Sequence, residues 1–398
     1  MRLLLGIASL SLLGILACTK DAATVALHDT PTTGDAFPEQ APVRVPPGAT
    51  MAFVATRQDD MVTAIDLATN QIAGRYPLDL DPVDVDGPEH LTMDPTGTRL
   101  FVVFSQPDLV LGPHAAHASK RGSALGSLDA SRFLARERTR LSAAAYETAL
   151  TPDASKLVVT HYDVGRIQTA IDTKGDTQAM RAPVLVLDPG TLATLATRDA
   201  CILPAGIAMS ADGTRAWIAC YGEDVIGELH LDDPGFAFDT FPVGPDPQIA
   251  PTNARYGPLA VSVAAGGALF VSDRAGYDVR LIDLATHAPI AVLDTASGSP
   301  FSPASSADGA HFVFATREPE QLIAVSRSGE VWSKSASREL RAGECGKPGR
   351  AARWRDRWFV VCEASGALLE VDPDTLATRN TFLVGAEPTS VAFTPEGP

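Results

Sequence analysis

Basic and aromatic side chains are scarce in this 398-residue chain: 32 lysines and arginines stand against 48 acidic residues, and aromatic residues make up 6%. The resulting formal charge of −16 repels phosphate backbones, so nucleic acid is excluded as the expected partner. The same deficit of basic residues disfavours docking on an anionic lipid surface through a charged patch. The net charge therefore argues against a nucleic-acid-binding protein and against a protein that docks on anionic lipid through a basic patch.

Familiar catalytic signatures are also missing. The sequence contains no G-x-S-x-G nucleophile elbow, no H-E-x-x-H zinc motif and no G-x-x-x-x-G-K-[ST] phosphate loop. It has no C-x-x-C-H motif, which excludes covalently attached haem on this chain. With four tryptophans, it also lacks the repeated tryptophan motif of alcohol dehydrogenases that use a quinone cofactor. No reaction type follows from the motifs.

The one long apolar run lies at the N-terminus. Residues 1–17 have the pattern of a secretion signal, with Arg2, an apolar stretch from residue 3 to 16 and a small residue before Cys18. The stretch is too short to span a bilayer with its flanks. Ile15-Leu16-Ala17-Cys18 resembles a bacterial lipobox, in which the cysteine becomes the lipidated first residue. The alternative is an ordinary signal peptide that is cleaved elsewhere.

The residues after the lipobox predict a tethered protein of the cell envelope. Thr19 follows Cys18, and a residue other than Asp at this place favours the outer membrane over retention in the inner membrane. Residues 18–49 combine prolines, threonines and aspartates without a hydrophobic period, which is typical of a flexible tether. We therefore expect lipid on Cys18 to contact the membrane, with a folded domain over residues 50–398 on the periplasmic or the outer side.

One pattern recurs seven times after the tether. In each copy an apolar β run is followed by a second hairpin, and the runs begin at Phe53, Phe101, Leu157, Trp217, Phe270, Phe312 and Phe359. Four strands per copy predict an all-β fold, a seven-bladed β-propeller. The first copy lacks an innermost strand, and the C-terminal segment Pro388–Gly397 is left unattached. We expect this segment to complete the first blade and close the ring.

Two copies carry a family resemblance. FVATRQDDMVTAIDLAT (residues 53–69) and FVSDRAGYDVRLIDLAT (residues 270–286) resemble the YVTN-type propeller repeat, found in the family that includes lactonase-like and amine-dehydrogenase-like propellers. The resemblance implies an extracytoplasmic propeller. It leaves the activity open, because such repeats serve binding proteins, lactonase-like enzymes and quinoprotein dehydrogenase subunits alike.

The four cysteines of the domain form two matching sets. Cys201 and Cys345 each precede an innermost strand, and Cys220 and Cys362 each end the strand that follows. These two places lie side by side on one face of a propeller, so we expect disulfides Cys201–Cys220 and Cys345–Cys362 in an oxidising compartment. The rival interpretation is a four-thiolate zinc site, but the paired C-x2-C spacing of such sites is missing.

The candidate site lies on the face that carries the long loops. Insertions at about 107–122, 163–182 and 242–257 all fall there, and function concentrates on elaborated loops of rigid scaffolds. Alignment of the innermost strands places His90, Glu147 and Arg350 near the axial mouth, with Asp86 and Glu89 just above His90 and with His161 on the next blade. We take these six as the candidate binding residues of the mouth. A histidine beside carboxylates can bind a divalent metal or transfer protons. The candidate metal ligands are His90, Glu147, His114 and His117, although a polar mouth is also expected of any propeller.

The preferred hypothesis is a lipid-anchored, monomeric propeller without catalytic activity, whose rim binds another envelope or extracellular protein. The alternative is an exported enzyme or enzyme subunit. It would be a metal-dependent lactonase-like hydrolase, or the propeller partner of a c-type cytochrome or a quinoprotein dehydrogenase. The sequence leaves the ligand and the partner unidentified.

Overall fold

The computed structural model describes residues 45–46, 48–78, 87–105, 123–133, 135–175, 177–247 and 255–395. Over these ranges the chain forms seven antiparallel sheets in a ring, which confirms the predicted seven-bladed β-propeller. The predicted signal, Cys18 and most of the tether lie outside the described residues, as do Asp86, His114 and His117. Within the described ranges, no helix is both long and apolar enough to cross a membrane.

Each blade is built from four strands that follow one another outward from the axis, except where the chain ends meet. The strands of the first four blades are β1 (Met51–Thr56), β2 (Met61–Asp66), β3 (Gln71–Pro77), β4 (Pro88–Met93), β5 (Arg99–Phe104), β6 (Ser123–Asp129), β7 (Ala135–Leu141), β8 (Ala145–Leu150), β9 (Leu157–His161), β10 (Arg181–Leu187), β11 (Thr194–Ile202), β12 (Pro204–Met209), β13 (Arg215–Cys220), β14 (Val225–His230) and β15 (Phe238–Pro242). Blade 1 takes β1–β3, blade 2 β4–β7, blade 3 β8–β11 and blade 4 β12–β15.

The remaining blades repeat this order. Their strands are β16 (Pro258–Ala264), β17 (Ala268–Asp273), β18 (Asp278–Asp283), β19 (Pro289–Asp294), β20 (Ser299–Pro300), β21 (Ala304–Ser305), β22 (His311–Arg317), β23 (Gln321–Ser328), β24 (Val331–Glu339), β25 (Pro348–Trp354), β26 (Arg357–Cys362), β27 (Ala367–Val371), β28 (Thr378–Leu383) and β29 (Pro388–Phe393). Blade 5 takes β16–β19, blade 6 β20–β24 and blade 7 β25–β28. In blade 6 the innermost strand is split into β20 and β21, which both pair with β22.

The apolar run that marks each repeat becomes the second strand of its blade. Every residue of β1, β9 and β17 is buried, because neighbouring blades cover both faces of the strand. The outermost strand β19 instead consists of exposed and half-exposed residues. A separate apolar cluster fills each of the seven interfaces between adjacent blades. The core is therefore a ring of layers around the axis.

The two ends of the domain close the ring, as the sequence predicts. Strand β29 pairs with β1 in antiparallel register, with Val391 opposite Val54. Beyond the ladder, the backbone N–H of Met51 donates to Oγ1 of Thr394 at 2.9 Å, and the N–H of Thr394 donates to the carbonyl of Met51 at 3.0 Å. Blade 1 thus contains strands from both ends of the domain.

Both predicted disulfides are present, and each fastens one blade to the next. Cys201 lies in β11 of blade 3 and is bonded to Cys220 in β13 of blade 4, with 5.8 Å between the Cα atoms. Cys345 lies in the connection from blade 6 to blade 7 and is bonded to Cys362 in β26, with 5.0 Å between the Cα atoms. The bridges therefore secure blade-to-blade connections.

The strands that precede the three insertions are β5, β9 and β15. They are second or fourth strands, and in an antiparallel blade these end on the same side. We call that end of the propeller the insertion face. The second insertion contains an element that the sequence analysis does not anticipate, helix α1 (Val164–Asp172), followed by a 3-10 turn over Thr177–Met180. Asp163 caps the helix by accepting from the N–H of Arg166 at 2.9 Å.

Candidate functional site

The innermost strand of each blade brings one equivalent residue to the axis. The strand pairing aligns His90, Glu147, Gly206, Ala260, Ser302, Arg350 and Ser390. All of these except Gly206 line one central cavity of about 230 Å³. A Cβ atom on Gly206 would lie 2.8 Å from the Cα of Ala260, so glycine permits blades 4 and 5 to approach at this point. His90, Glu147 and Arg350 therefore lie around the axis, where the alignment of the innermost strands places them.

An ion pair crosses the axis inside this cavity. Arg350 of blade 7 donates from Nη1 to Oε2 of Glu147 in blade 3, although the two residues are 203 positions apart. The N–H of Ile207 donates to the other carboxylate oxygen at 3.1 Å. Burial alone would raise the pKa of Glu147, but Arg350, His90 and the Ile207 N–H together hold that pKa below its ordinary value. Glu147 is therefore ionised and held by Arg350 at neutral pH.

His90 is neutral in this environment, and its tautomer follows from one contact. The backbone N–H of Thr148 donates to Nδ1 of His90 at 3.3 Å, and because a backbone N–H can only donate, the neutral ring carries its proton on Nε2. Burial lowers the pKa of His90 to about 4, with Glu147 opposing that change and Arg350 adding to it. The cavity thus contains a neutral imidazole beside a paired carboxylate and guanidinium.

Among the described residues, few groups at this site could act as ligands for a divalent metal. Nowhere in the described ranges do three or more His, Cys, Asp or Glu side chains lie together as a possible metal site. His90 and Glu147 lie near each other, but both oxygens of Glu147 already accept hydrogen bonds. The other two candidate ligands, His114 and His117, lie outside the described residues.

Two further sequence-predicted residues do not line the cavity. Glu89 forms an ion pair with Arg57 at 2.9 Å, and Arg57 also pairs with Glu387. His161, which the sequence analysis places at the axial mouth, is fully buried in β9 and donates from Nδ1 to the carbonyl of Pro183 at 2.7 Å. This placement corrects the expectation: β9 is a second strand, one position farther from the axis, so the ring packs inside the blade. Asp86 lies outside the described residues.

A second ring of residues surrounds the cavity on the insertion face, and the sequence analysis does not single it out. It consists of one residue at the end of each second strand, which is the last strand residue in blade 6 and the residue directly after the strand in the other blades. We call it the rim ring: Arg57, Ser105, Tyr162, Tyr221, Arg274, Arg317 and Glu363. Its arginines and tyrosines contact residues of the innermost strands, as with Arg317 over the Phe301 ring at 4.2 Å. The repeat itself contains the signal, since each member stands one or two residues after a predicted β run.

Comparison with known proteins finds solved structures that share this fold. No family model and no curated relative matches the sequence. Solved structures do match: the periplasmic gluconolactonase of Pseudomonas aeruginosa superposes with a TM-score of 0.63 at 16% identity, covering 87% of this chain and 99% of that one. A Bacteroides fragilis protein provisionally assigned as a 6-phosphogluconolactonase gives 0.63 at 12% identity, covering 87% and 98%. BamB from Moraxella catarrhalis gives 0.52 at 14% identity, covering 87% and 89%.

The likeness is one of fold. At these identities the shared feature is the propeller ring, and one ring serves proteins with different activities. The site must therefore be interpreted from the residues of this chain.

Proposed function

We propose that the protein is an exported propeller, anchored by lipid on Cys18, that acts as a monomeric binding scaffold in the bacterial cell envelope. The insertion face is the surface that binds a partner protein, and nucleic acid is not its ligand. Support for the scaffold comes from the fold, from the fact that the strands preceding all three insertions end on one face, and from two disulfides that suit an oxidising compartment.

The observation that carries the proposal is the mutual neutralisation of charged groups around the axis. Arg350 is paired with Glu147, Arg57 with Glu89 and Glu387, and Arg317 with Glu363. Among these carboxylates, Glu147 has a pKa that Arg350 helps to hold below its ordinary value, so it makes a weak general base. Such pairs make the rim rigid, which suits recognition of a partner more than proton transfer.

Site-specific photo-crosslinking in a bacterial envelope tests the partner. A benzophenone amino acid replaces Tyr277, which is 46% exposed in the loop between β17 and β18 on the insertion face. The matched control replaces Val331, which is 66% exposed as the first residue of β24 on the opposite face. We expect one discrete adduct with an envelope protein from the first position and none from the second. Equal labelling at both positions, or none at either, would contradict the proposal.

Anchoring is tested separately. Cys18→Ser removes the proposed lipid attachment, so the chain should move from the membrane fraction to the soluble fraction after cell breakage. The outer and inner membranes are then separated by density to locate the wild-type chain. Retention of Cys18→Ser in the membrane fraction would count against the lipid anchor.

A second candidate is an exported lactonase-like hydrolase. The observation that favours it is the presence of an Nε2–H group on neutral His90 beside Arg350 in one cavity, because two such donors can polarise a carbonyl oxygen. Hydrolysis of glucono-lactone, followed by acid release, tests it together with metal analysis of the purified chain. Activity that His90→Ala abolishes, with or without a bound metal, would favour the enzyme over the scaffold.

A further inference from the structure

Three tyrosines form a continuous wall beside the central cavity. Tyr146 lies 5.4 Å from Tyr162 between ring centroids, and Tyr162 lies 5.9 Å from Tyr221. All three are partly buried and pack against the apolar cluster between blades 4 and 5, which contains Phe301. Helix α1 supports this wall, because its buried residue Ile167 belongs to a cluster against which Tyr162 and Tyr221 pack. We call the three tyrosines together with Phe301 the tyrosine basin.

Arg274 borders the basin and differs from the other arginines of the rim ring. Its guanidinium carbon lies 5.1 Å from the ring centroid of Phe301. Arg57 and Arg317 each have a glutamate partner, and Arg317 also donates to the carbonyls of Pro348 and Lys347. Across the described residues, Arg274 has no ion pair and no side-chain hydrogen bond. The preceding Asp273 faces Arg280 at 2.8 Å instead.

Arg350, which lines the central cavity, also has a donor group without an acceptor among the described residues. The Nη2 atom of Arg350 is buried and has no hydrogen-bond partner within the described part of the chain, and its guanidinium carbon lies 4.7 Å from the Tyr146 ring centroid. A buried N–H without an acceptor is energetically unfavourable. Arg274 beside Phe301 and Arg350 beside Tyr146 therefore leave donors available next to the same aromatic residues.

We infer that the tyrosine basin binds an organic carboxylate, with Arg274 holding the anionic group and the tyrosine rings contacting a flat ring or a sugar next to it. A guanidinium presents its donors as a planar fork that matches a carboxylate. Aromatic faces supply contact area for the body of the ligand, and tyrosine hydroxyls can donate to its polar atoms. Because the whole chain has a charge of −16, long-range attraction opposes an anion, and binding depends on these local contacts.

This inference goes beyond the proposed scaffold and does not depend on it. The carboxylate can belong to a free small molecule or to the C-terminus of a partner chain, and the chemistry of recognition is the same. Failure to find a protein partner on the insertion face would leave the basin unaffected. Failure to bind a carboxylate would leave the scaffold unaffected.

Calorimetric titration of the full chain in detergent tests the basin with benzoate and with benzamide, which has the same ring without the charge. Phe-terminated tripeptides with a free or an amidated C-terminus provide the second source. We expect saturable 1:1 binding of a carboxylate probe and at least about tenfold weaker binding of its amide. Tighter binding of benzoate indicates a free ligand, and tighter binding of the free-acid peptide indicates a chain terminus.

Two substitutions assign the binding to the basin. Arg274→Gln should weaken the carboxylate probe about tenfold or more, and Arg274→Lys should recover part of that loss because it restores the charge without the fork. The control is Arg355→Gln, since Arg355 also stacks on an aromatic ring, 4.5 Å from the Trp354 centroid, in the turn after β25 on the opposite face. Equal affinity for acid and amide probes, absence of saturable binding, or full affinity in folded Arg274→Gln would overturn the inference.

Discussion

At the residue scale, the ion pair between Glu147 and Arg350 governs the centre of the molecule. Both side chains are nearly buried, with 12% and 11% exposed, so each charge depends on the other for compensation. Burial lowers the pKa of Arg350, but the nearby Tyr146, Glu147 and Glu89 raise it above its ordinary value. Arg350 therefore stays charged whatever the pH of the cell.

Breaking this pair from one side should destabilise the fold. Glu147→Gln leaves the buried guanidinium of Arg350 without its counter-charge, and we expect a loss of about 3–5 kcal/mol in the free energy of unfolding. The double variant Glu147→Gln, Arg350→Gln should lose less than the sum of the two single variants, because neither charge is then left alone. Urea denaturation of all three measures the coupling, and strictly additive losses would show that the pair is not coupled.

His161 makes stability depend on pH through its buried ring. Burial lowers its pKa from 6.5 to about 4, against opposing effects of the Pro183 carbonyl and Asp163. As the pH falls below 6.5, the unfolded chain takes up the proton before the folded chain does, so stability present above 6.5 is lost toward pH 4. The amount is on the order of 3 kcal/mol.

Replacement of His161 by phenylalanine should reduce that dependence. Phe104 occupies the equivalent position in blade 2, so the repeat accommodates an aromatic ring there. At neutral pH the variant loses the hydrogen bond to the Pro183 carbonyl, about 1 kcal/mol. Between pH 6.5 and 4 its urea midpoint should fall less steeply than that of the wild type. Parallel midpoint curves for the two proteins would contradict the assigned role of His161.

At the element scale, the two disulfides stabilise connections between blades. Cys201 and Cys220 are 19 positions apart and Cys345 and Cys362 are 17 apart, so each bridge closes a short loop between consecutive blades. The connection that enters blade 5 has no disulfide. Buried Asp224 of blade 4 anchors it instead, by accepting from the N–H groups of residues 255, 256 and 257 at 2.8–3.0 Å. Covalent and polar anchors thus serve the same place in the repeat.

Removal of one bridge should weaken the ring locally. Cys345→Ala with Cys362→Ala is expected to lower the free energy of unfolding by about 3 kcal/mol, since the unfolded chain gains the freedom of the opened loop. Chemical denaturation measures this loss. A reducing agent should shift the wild-type transition further than that of the variant, which retains only one bridge. Equal shifts in both proteins would show that the Cys345–Cys362 bridge does not contribute.

At the scale of the whole molecule, the ring depends on contact between the two ends of the domain. Strand β29 is the innermost strand of blade 1, and the hydroxyl of Thr389 donates to the carbonyl of Pro88 in blade 2 at 3.0 Å. Trp354 of blade 7 also donates from its indole N–H to the carbonyl of Thr394 at 3.0 Å. The C-terminal strand therefore joins three blades, and its loss would expose the edge of β1.

Truncation before residue 386 tests this closure. We expect the shortened chain to unfold at much lower urea concentration and with a lower m-value, because an open ring buries less surface and folds less cooperatively. Amide hydrogens of β1 should lose their protection from exchange. Deletion of residues 396–398 serves as the control and should leave the transition in place. Unchanged unfolding of the truncated chain would show that blade 1 is stable without β29.

Much of the site was predictable because the repeat has a fixed period. The alignment of innermost strands placed His90, Glu147 and Arg350 at one mouth, and the structure finds all three around one cavity. His161 was misplaced, since a difference of one strand decides whether a side chain faces the axis or the blade. The tyrosine basin was missed because its members come from three blades, with Tyr146 and Tyr162 in blade 3, Tyr221 in blade 4 and Phe301 in blade 6, and they come together only when the blades pack.

The order of strands, the number of blades and the pairing of cysteines followed from local patterns, because hairpins and short loops form between residues that are near in sequence. Local patterns did not predict that Glu147 pairs with Arg350 or that His161 is buried. Nor did they predict that Arg274 lacks a carboxylate partner among the described residues. These depend on which side chains meet across the axis or between blades. Such distances are set by closure of the whole ring, and no segment of the sequence contains them.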